Sequence, residues 1–179
     1  MEDMIEILDE NGIWTGETKS RDEVHKQNLL HRIALACRID SKNRILLQHR
    51  SPTKKLWPSK WDLSIAAHVL AGEESVSTVV RKMNEEIGFS LDRKVIAKNF
   101  RFCSSFRQDT NNDGNIEKHW YDLFIVLKDI ETTNLRFNDS EVDGVMWASY
   151  TDIQKIIDSG EMVPRDAWIK PILRFINRF

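Results

Sequence analysis

Apolar residues alternate with polar ones at the start of the chain and switch to helical spacing near its middle. Met4, Ile5, Ile7 and Leu8, then Ile13 and Trp14, flank Asp9-Glu10-Asn11-Gly12 and predict a short hairpin over residues 4–16 whose turn ends on Asn-Gly. Ser20-Arg21-Asp22-Glu23 has the spacing of a capping box and predicts one short helix through Val24 and His25. Leu29 to Ile39 reads as a strand, turned at Asp40 to Asn43 into a second strand, Arg44 to Arg50, with which it should pair antiparallel. Residues 51–60 form a loop holding Pro52 and Pro58, and Trp61 to Ile65 lead back into the sheet. Val76, Val79, Val80, Met83 and Ile87 then recur at helical spacing, and Gly88 supplies a left-handed stop. Val95 to Ala97 and Phe100 to Cys103 run into a polar turn over Asp109 to Asn115. The chain returns as Ile116 to Leu127, whose weak alternation suits a strand buried on both faces at its end. Val142 to Ala148 is a further strand, Thr151 and Gln154 cap a helix carrying Ile153, Ile156 and Ile157, and Ala167 to Phe175 close the chain as a helix with Trp168, Ile172 and Phe175 on one side. This order suits an α/β fold, a mixed sheet between helices, in a single domain over 1–179 with residues 1–28 as an N-terminal extension.

Composition narrows the partners. The 179 residues carry a formal net charge of −2 with 30% charged and 41% hydrophobic residues, so no basic footprint for a nucleic-acid backbone is present. Cys37 and Cys103 are too few for a disulfide framework and read as reduced core thiols. No apolar run reaches membrane-spanning length, and the expectation is a cytoplasmic protein without a membrane partner. Antiparallel edges and the N-terminal hairpin leave a homodimer open.

The chemistry concentrates on one helix. Turning 100° per residue from Val76 places Lys82, Glu85 and Glu86 together on the flank of the apolar stripe. Adjacent carboxylates beside a Gly-Glu loop suit a hard cation such as Mg²⁺, which takes oxygen ligands. The spacing of Ala67, Glu73, Arg81, Lys82, Met83, Glu85, Glu86, Gly88 and Phe89 resembles the Nudix box, G-x5-E-x7-R-E-U-x-E-E-x-G-U, of the MutT-like hydrolases. Ala67 replaces the leading glycine and Lys82 the first glutamate after the arginine. The resemblance implies a Nudix-like α/β/α sandwich, a Mg²⁺ or Mn²⁺ ion on Glu73, Glu85, Glu86 and the Ala66 carbonyl, and hydrolysis of a small-molecule diphosphate. Arg81 lies four residues before Glu85 and can orient it through an ion pair.

Lys82 is the departure that matters. At an effective dielectric of about 20 and roughly 4 Å, a lysine and a divalent ion repel by on the order of 8 kcal/mol. Lys82 must swing away, or take the metal's place and pair with Glu85 and Glu86 itself. Where the general base lies elsewhere, Glu117 and Glu141 are the candidates.

Outside the box the chain is similar to the Nudix branch that includes type I isopentenyl diphosphate isomerase, through Asp9 to Gly12, His25, His31, Arg50 to Lys54, Trp57 to Asp62, His68, Gly114 to Asp122 and Asn138 to Val142. In those isomerases three histidines and two glutamates hold a metal, which implies a second metal site on His25, His31, His68 and Glu117, with His119 in the place of the second glutamate. The isomerases move protons with a cysteine and a glutamate where this chain has Ala66 and His119, and alanine transfers no proton. Lys54, Lys60, Trp61 and Lys82, with Arg50 and Lys55, are candidates to hold the diphosphate substrate. The function expected is hydrolysis of a diphosphate linkage in a nucleoside diphosphate derivative or a related compound. Isomerase chemistry and a catalytically reduced module that binds a phosphorylated ligand are the alternatives.

Overall fold

The computed structural model describes residues 2–87, 98–112, 115–127, 140–164 and 166–176. Its elements follow one another as β1 (Met4–Leu8), β2 (Trp14–Ser20), α1 (Arg21–Lys26), β3 (His31–Ile39), β4 (Ile45–Arg50), β5 (Trp61–Leu63), β6 (Ile65–His68), α2 (Ser75–Ile87), β7 (Phe100–Asn112), β8 (Asn115–Leu127), β9 (Val142–Ala148), α3 (Tyr150–Asp158), a 3₁₀ turn (Asp166–Trp168) and α4 (Ile169–Ile176).

Strand β3 is the axis of the sheet. Along one edge it pairs parallel with β8, from His31 opposite His119 to Ile39 opposite Leu127. Its other edge is shared, antiparallel in both halves: β6 takes Ile33 to Ala36 and β4 takes Arg38 and Ile39. β4 also carries β5 and β9, so the sheet splits and curls, and its mixed direction is as expected. Two-residue alternation sorts β3 between two cores. Ile33, Leu35, Cys37 and Ile39 pack with Leu47, Leu123 and Ile125 under Ile153, Trp168 and Ile172 from the C-terminal helices. Ala34 and Ala36 face the other way, with Ala67, Val79, Met83 and Val126. These small side chains let α2 lie close to the sheet, and Val76, Val79, Val80 and Met83 form the stripe that the spacing predicted, while the Ile87 side chain lies outside what the structure describes.

The boundaries differ in places. β2 runs to Ser20, where the hydroxyl accepts from the Glu23 amide and the Glu23 carboxylate accepts from the Ser20 amide, closing the expected capping box. α3 is capped by Ser149 and Asp152 rather than by Thr151 and Gln154, because Ser149 keeps an extended backbone and its hydroxyl meets the Asp152 amide at 3.2 Å. Asp109 to Asn112 are strand rather than turn, since Asp109 pairs with Lys118 and Asn112 with Asn115. Trp61 to His68 divide into β5 and β6, and the closing helix begins as a 3₁₀ turn. Gly88, Phe89, Val95 to Ala97, Gly114, Asn138 and Asp139 lie outside the described residues.

The N-terminal hairpin is seated on β8 through Gly12. Its turn is held by the Asp9 carboxylate, which accepts from the Asn11 and Ile13 amides at 2.9 Å each. Gly12 has φ +78°, and a Cβ there would lie 2.5 Å from the Trp120 ring. Left-handed strain and a ring that must move act together, so Gly12→Ala is expected to cost about 2 kcal/mol. Urea unfolding at unchanged m-value checks this, and a loss below about 0.5 kcal/mol would show that the hairpin yields freely.

Candidate functional site

The pairing of β3 decides which imidazoles meet. Register sets His31 opposite His119 and Ile33 opposite His68, around the first residues of β3, and α1 brings His25 to the same place. Ligand nitrogens of His25, His31 and His68 lie within 4.8 Å of one another. His25 Nδ1 is 2.6 Å from the Glu117 carboxylate and its Nε2 is 3.0 Å from His68 Nε2. His31 is buried, with Nδ1 2.9 Å from the Leu29 carbonyl. A carbonyl only accepts, so Nδ1 carries the hydrogen and the lone pair is on Nε2, a buried atom with no hydrogen-bond partner. A metal ligand held by a backbone carbonyl through its other nitrogen has this arrangement. Burial pushes the His31 imidazolium down to about 4, and burial with neighbouring His31 and Arg21 lowers His68 in the same direction. Neutral imidazoles are the ligand form. His119 lies 3.9 Å from Glu117 through Nε2, and its Nδ1 is 2.9 Å from the Tyr121 hydroxyl. Nitrogens with one carboxylate fit a divalent ion of the transition series.

The box is occupied differently. Arg81 grips Glu73 through two bonds of 2.9 and 2.8 Å, and the Thr78 hydroxyl adds a third at 2.6 Å. Burial works against charge on Glu73, but these bonds outweigh it and hold the carboxyl below its ordinary value. Arg81 also reaches Glu85 at 3.6 Å, the expected ion pair. Lys82 Nζ lies 3.0 Å from Glu85 and 3.8 Å from Glu86. Glu86 is 5% exposed; burial raises it to about 7 against the pull of Lys82. Lys82 thus places an ammonium between the two carboxylates at the point where the resemblance implies a divalent ion.

A cavity of about 590 Å³ opens over the histidines. Ala66, His25, His68, Glu117 and His119 form one wall, and Arg21, Arg50, Lys54 and Lys55 bring four cationic side chains to it. Lys54 forms an ion pair with Glu141, whose backbone carbonyl accepts from the Ser51 amide at 3.0 Å, so the loop over 51–60 is strapped to the start of β9. Burial would raise the Glu141 carboxyl, but the Lys54 bond and charge outweigh it and lower it. Arg50 donates to the Leu56 and Trp57 carbonyls at 2.7 and 3.0 Å, and so holds a loop in which Trp57 and Ser59 have φ +52° and +54°. That path turns Lys60 away, onto a second cavity of about 340 Å³ beside Met162 and Val163. Trp61 packs against His49 with ring centroids 4.8 Å apart, outside the first cavity. Arg21 was not among the sequence candidates, although it stands one helical turn before His25 and therefore on the same face.

The NUDIX domain matches residues 29–167. The chain is 28% identical over 159 residues to an uncharacterized Nudix hydrolase of Listeria monocytogenes, covering 89% of this chain and 87% of that protein. It is 26% identical over 164 residues to an isopentenyl-diphosphate Delta-isomerase of Cutibacterium acnes, with 88% and 79% covered. The crystal structure of DR0079 from Deinococcus radiodurans superposes with a TM-score of 0.73 at 20% identity, over 96% of this chain and 98% of the other, a likeness of fold. No helix among the described residues is long and apolar enough to cross a membrane.

Proposed function

Because the chain belongs to the Nudix family, whose domain spans most of its length, we propose that it is a metal-dependent hydrolase of a small-molecule diphosphate linked to a nucleoside or a similar group. The observation that carries this is the shared cavity, in which a nitrogen-rich ligand cluster faces Arg21, Arg50, Lys54 and Lys55. His25, His31, His68 and Glu117 would hold the ion, with His119 beside them. The chemistry such an ion supplies is Lewis-acid polarisation of a phosphoryl oxygen and acidification of water. The cations bind and orient the diphosphate, and Arg50 keeps their loop in place while doing so. A phosphate oxygen arriving at Lys54 draws the ammonium from Glu141, which leaves that carboxylate at the cavity wall able to accept a proton from water. Isomerase chemistry is the second reading, favoured by the convergence of the histidines; Ala66 on the cavity wall offers no group for it.

Product release from nucleoside diphosphates, triphosphates and diphosphate conjugates with Mg²⁺, Mn²⁺ or Zn²⁺ tests the proposal. Phosphate or nucleotide should appear only with metal, and Lys54→Met should raise KM about tenfold, the worth of one charge-assisted contact of about 1.4 kcal/mol. Thermal stabilisation by the same compounds without any turnover would identify a binding module instead, and a changed alkene in an allylic diphosphate would identify an isomerase.

A further inference from the structure

Every glutamate of the box already faces a cation of the chain itself. Arg81 holds Glu73 in two bonds, and Lys82 reaches both Glu85 and Glu86 from one helical turn away, at 3.0 and 3.8 Å. The geometry is that of a short stem on one helix face: residues three and four apart point the same way, so the ammonium needs no strained path to sit between two carboxylates. Around Glu86 the further charges are Glu141, Lys54 and Arg50, and two of these three are again positive. A divalent ion entering here would have to displace Lys82 and remain next to Arg81, and both the displacement and the remaining repulsion cost affinity.

We propose that the Lys82 ammonium is the built-in counter-ion of the Glu85 and Glu86 carboxylates, so that this end of α2 takes no divalent ion and the protein's metal is confined to its histidine cluster. The inference rests on the hydrolase reading only for the ion at the histidines; occupancy of the box is a separate quantity. It gives the lysine a definite role: positive charge stays at the box whether or not metal is present, and the carboxylates stay satisfied in the metal-free protein. The balance of charge decides what the exchange requires. Replacing an ammonium by methionine keeps the stem and a good helix former while it strips two carboxylates of their nearest cation.

Equilibrium dialysis against Mn²⁺, with the bound ion counted per chain, reads the proposal directly. The native protein should bind some number of ions that does not fall on Glu86→Gln. Lys82→Met should bind one more ion per chain at the same free Mn²⁺, with an affinity at least tenfold above any that the native box shows, and Lys82→Met with Glu86→Gln should lose that additional ion. Lys82→Gln is the second variant, should the methionine impair folding. An ion on the native protein that disappears with Glu86→Gln overturns the proposal, as does an unchanged count in both lysine variants or an added ion that survives Glu86→Gln. A native protein that binds no ion at all would defeat the metal-dependent hydrolase while leaving the increment in the lysine variants to be read in the same way.

Discussion

Asp122→Leu is expected to destabilise the protein by about 3 kcal/mol, because one side chain of β8 ties together four separate segments. Its carboxylate accepts from Arg32 of β3 at 2.9 Å, from the Ser75 hydroxyl at the start of α2 at 2.6 Å and from the Ser105 hydroxyl of β7 at 2.6 Å. Arg32 in turn donates to the Gly12 carbonyl at 2.8 Å, and Trp120 donates to Ser105 at 2.7 Å, so the hairpin is joined to the same network. The Asp122 side chain is 13% exposed, against 28% for Arg32, which places the pair between a surface bridge and a buried one. Leucine deletes three hydrogen bonds and leaves the guanidinium without its carboxylate, and removing one member of such a pair costs more than the pair contributes. Asp122→Asn keeps acceptor oxygen at the centre and should lose about 1 kcal/mol. Urea unfolding of both variants measures the difference; equal losses would mean that charge contributes nothing and that the network acts through shape alone.

The second large effect is a dependence on pH in the metal-free protein. His31 ionises near 6.5 when unfolded and near 4 when folded, since burial disfavours its cation. Between those values the unfolded chain binds the extra proton, so stability is present above pH 6.5 and is lost as pH falls towards 4. At about 1.4 kcal/mol for each tenfold change in proton affinity, the loss amounts to about 3 kcal/mol, and His68 adds to it with the same sign. Glu86 acts in the opposite sense. Its carboxyl is raised from 4.5 to about 7 by burial, so the folded state holds the extra proton and stability falls as pH rises between those values. His31 and Glu86 therefore oppose each other over pH 4.5 to 6.5, and Glu86 makes the native profile shallower there than the histidines alone would. Glu86→Gln should steepen the slope, and adding His31→Asn should reduce it to the part that His68 carries, as read from urea midpoints in the presence of chelator. Profiles of equal slope in all three proteins would remove both groups from the linkage.

How much of this was legible beforehand depended on the range of the interaction. The α2 stripe and the meeting of Lys82, Glu85 and Glu86 follow from 3.6-residue geometry, which is local. The Ser149 cap was obscured because Ser149 and Thr151 both precede an acceptor at the right interval, and only the extended backbone of Ser149 decides between them. The length of β7 was hidden because Arg107 to Asn112 show no apolar alternation; that strand is held by ladder bonds to β8 rather than by a buried face. The grip of Arg81 on Glu73 spans eight residues and needs the turn before α2 to bring them together. Lys60 and Trp61 were placed near the diphosphate, yet non-glycine residues in left-handed conformations steer the loop elsewhere, and nothing in Trp57 or Ser59 announces that. The histidines converge through the register of β3 with β8, a property of the whole sheet that reached the sequence reading only through resemblance.

That parallel register also has a kinetic meaning. β3 and β6 lie close along the chain, whereas β8 joins β3 only after a long intervening segment has closed, and such closure is slow compared with hairpin formation. His31 and His68 thus meet through the shorter closure, and Glu117 and His119 through the longer one that brings in β8. The complete ligand cluster needs the most distant pairing of β3, so an ion held there would act as a latch that retards the opening of the finished sheet.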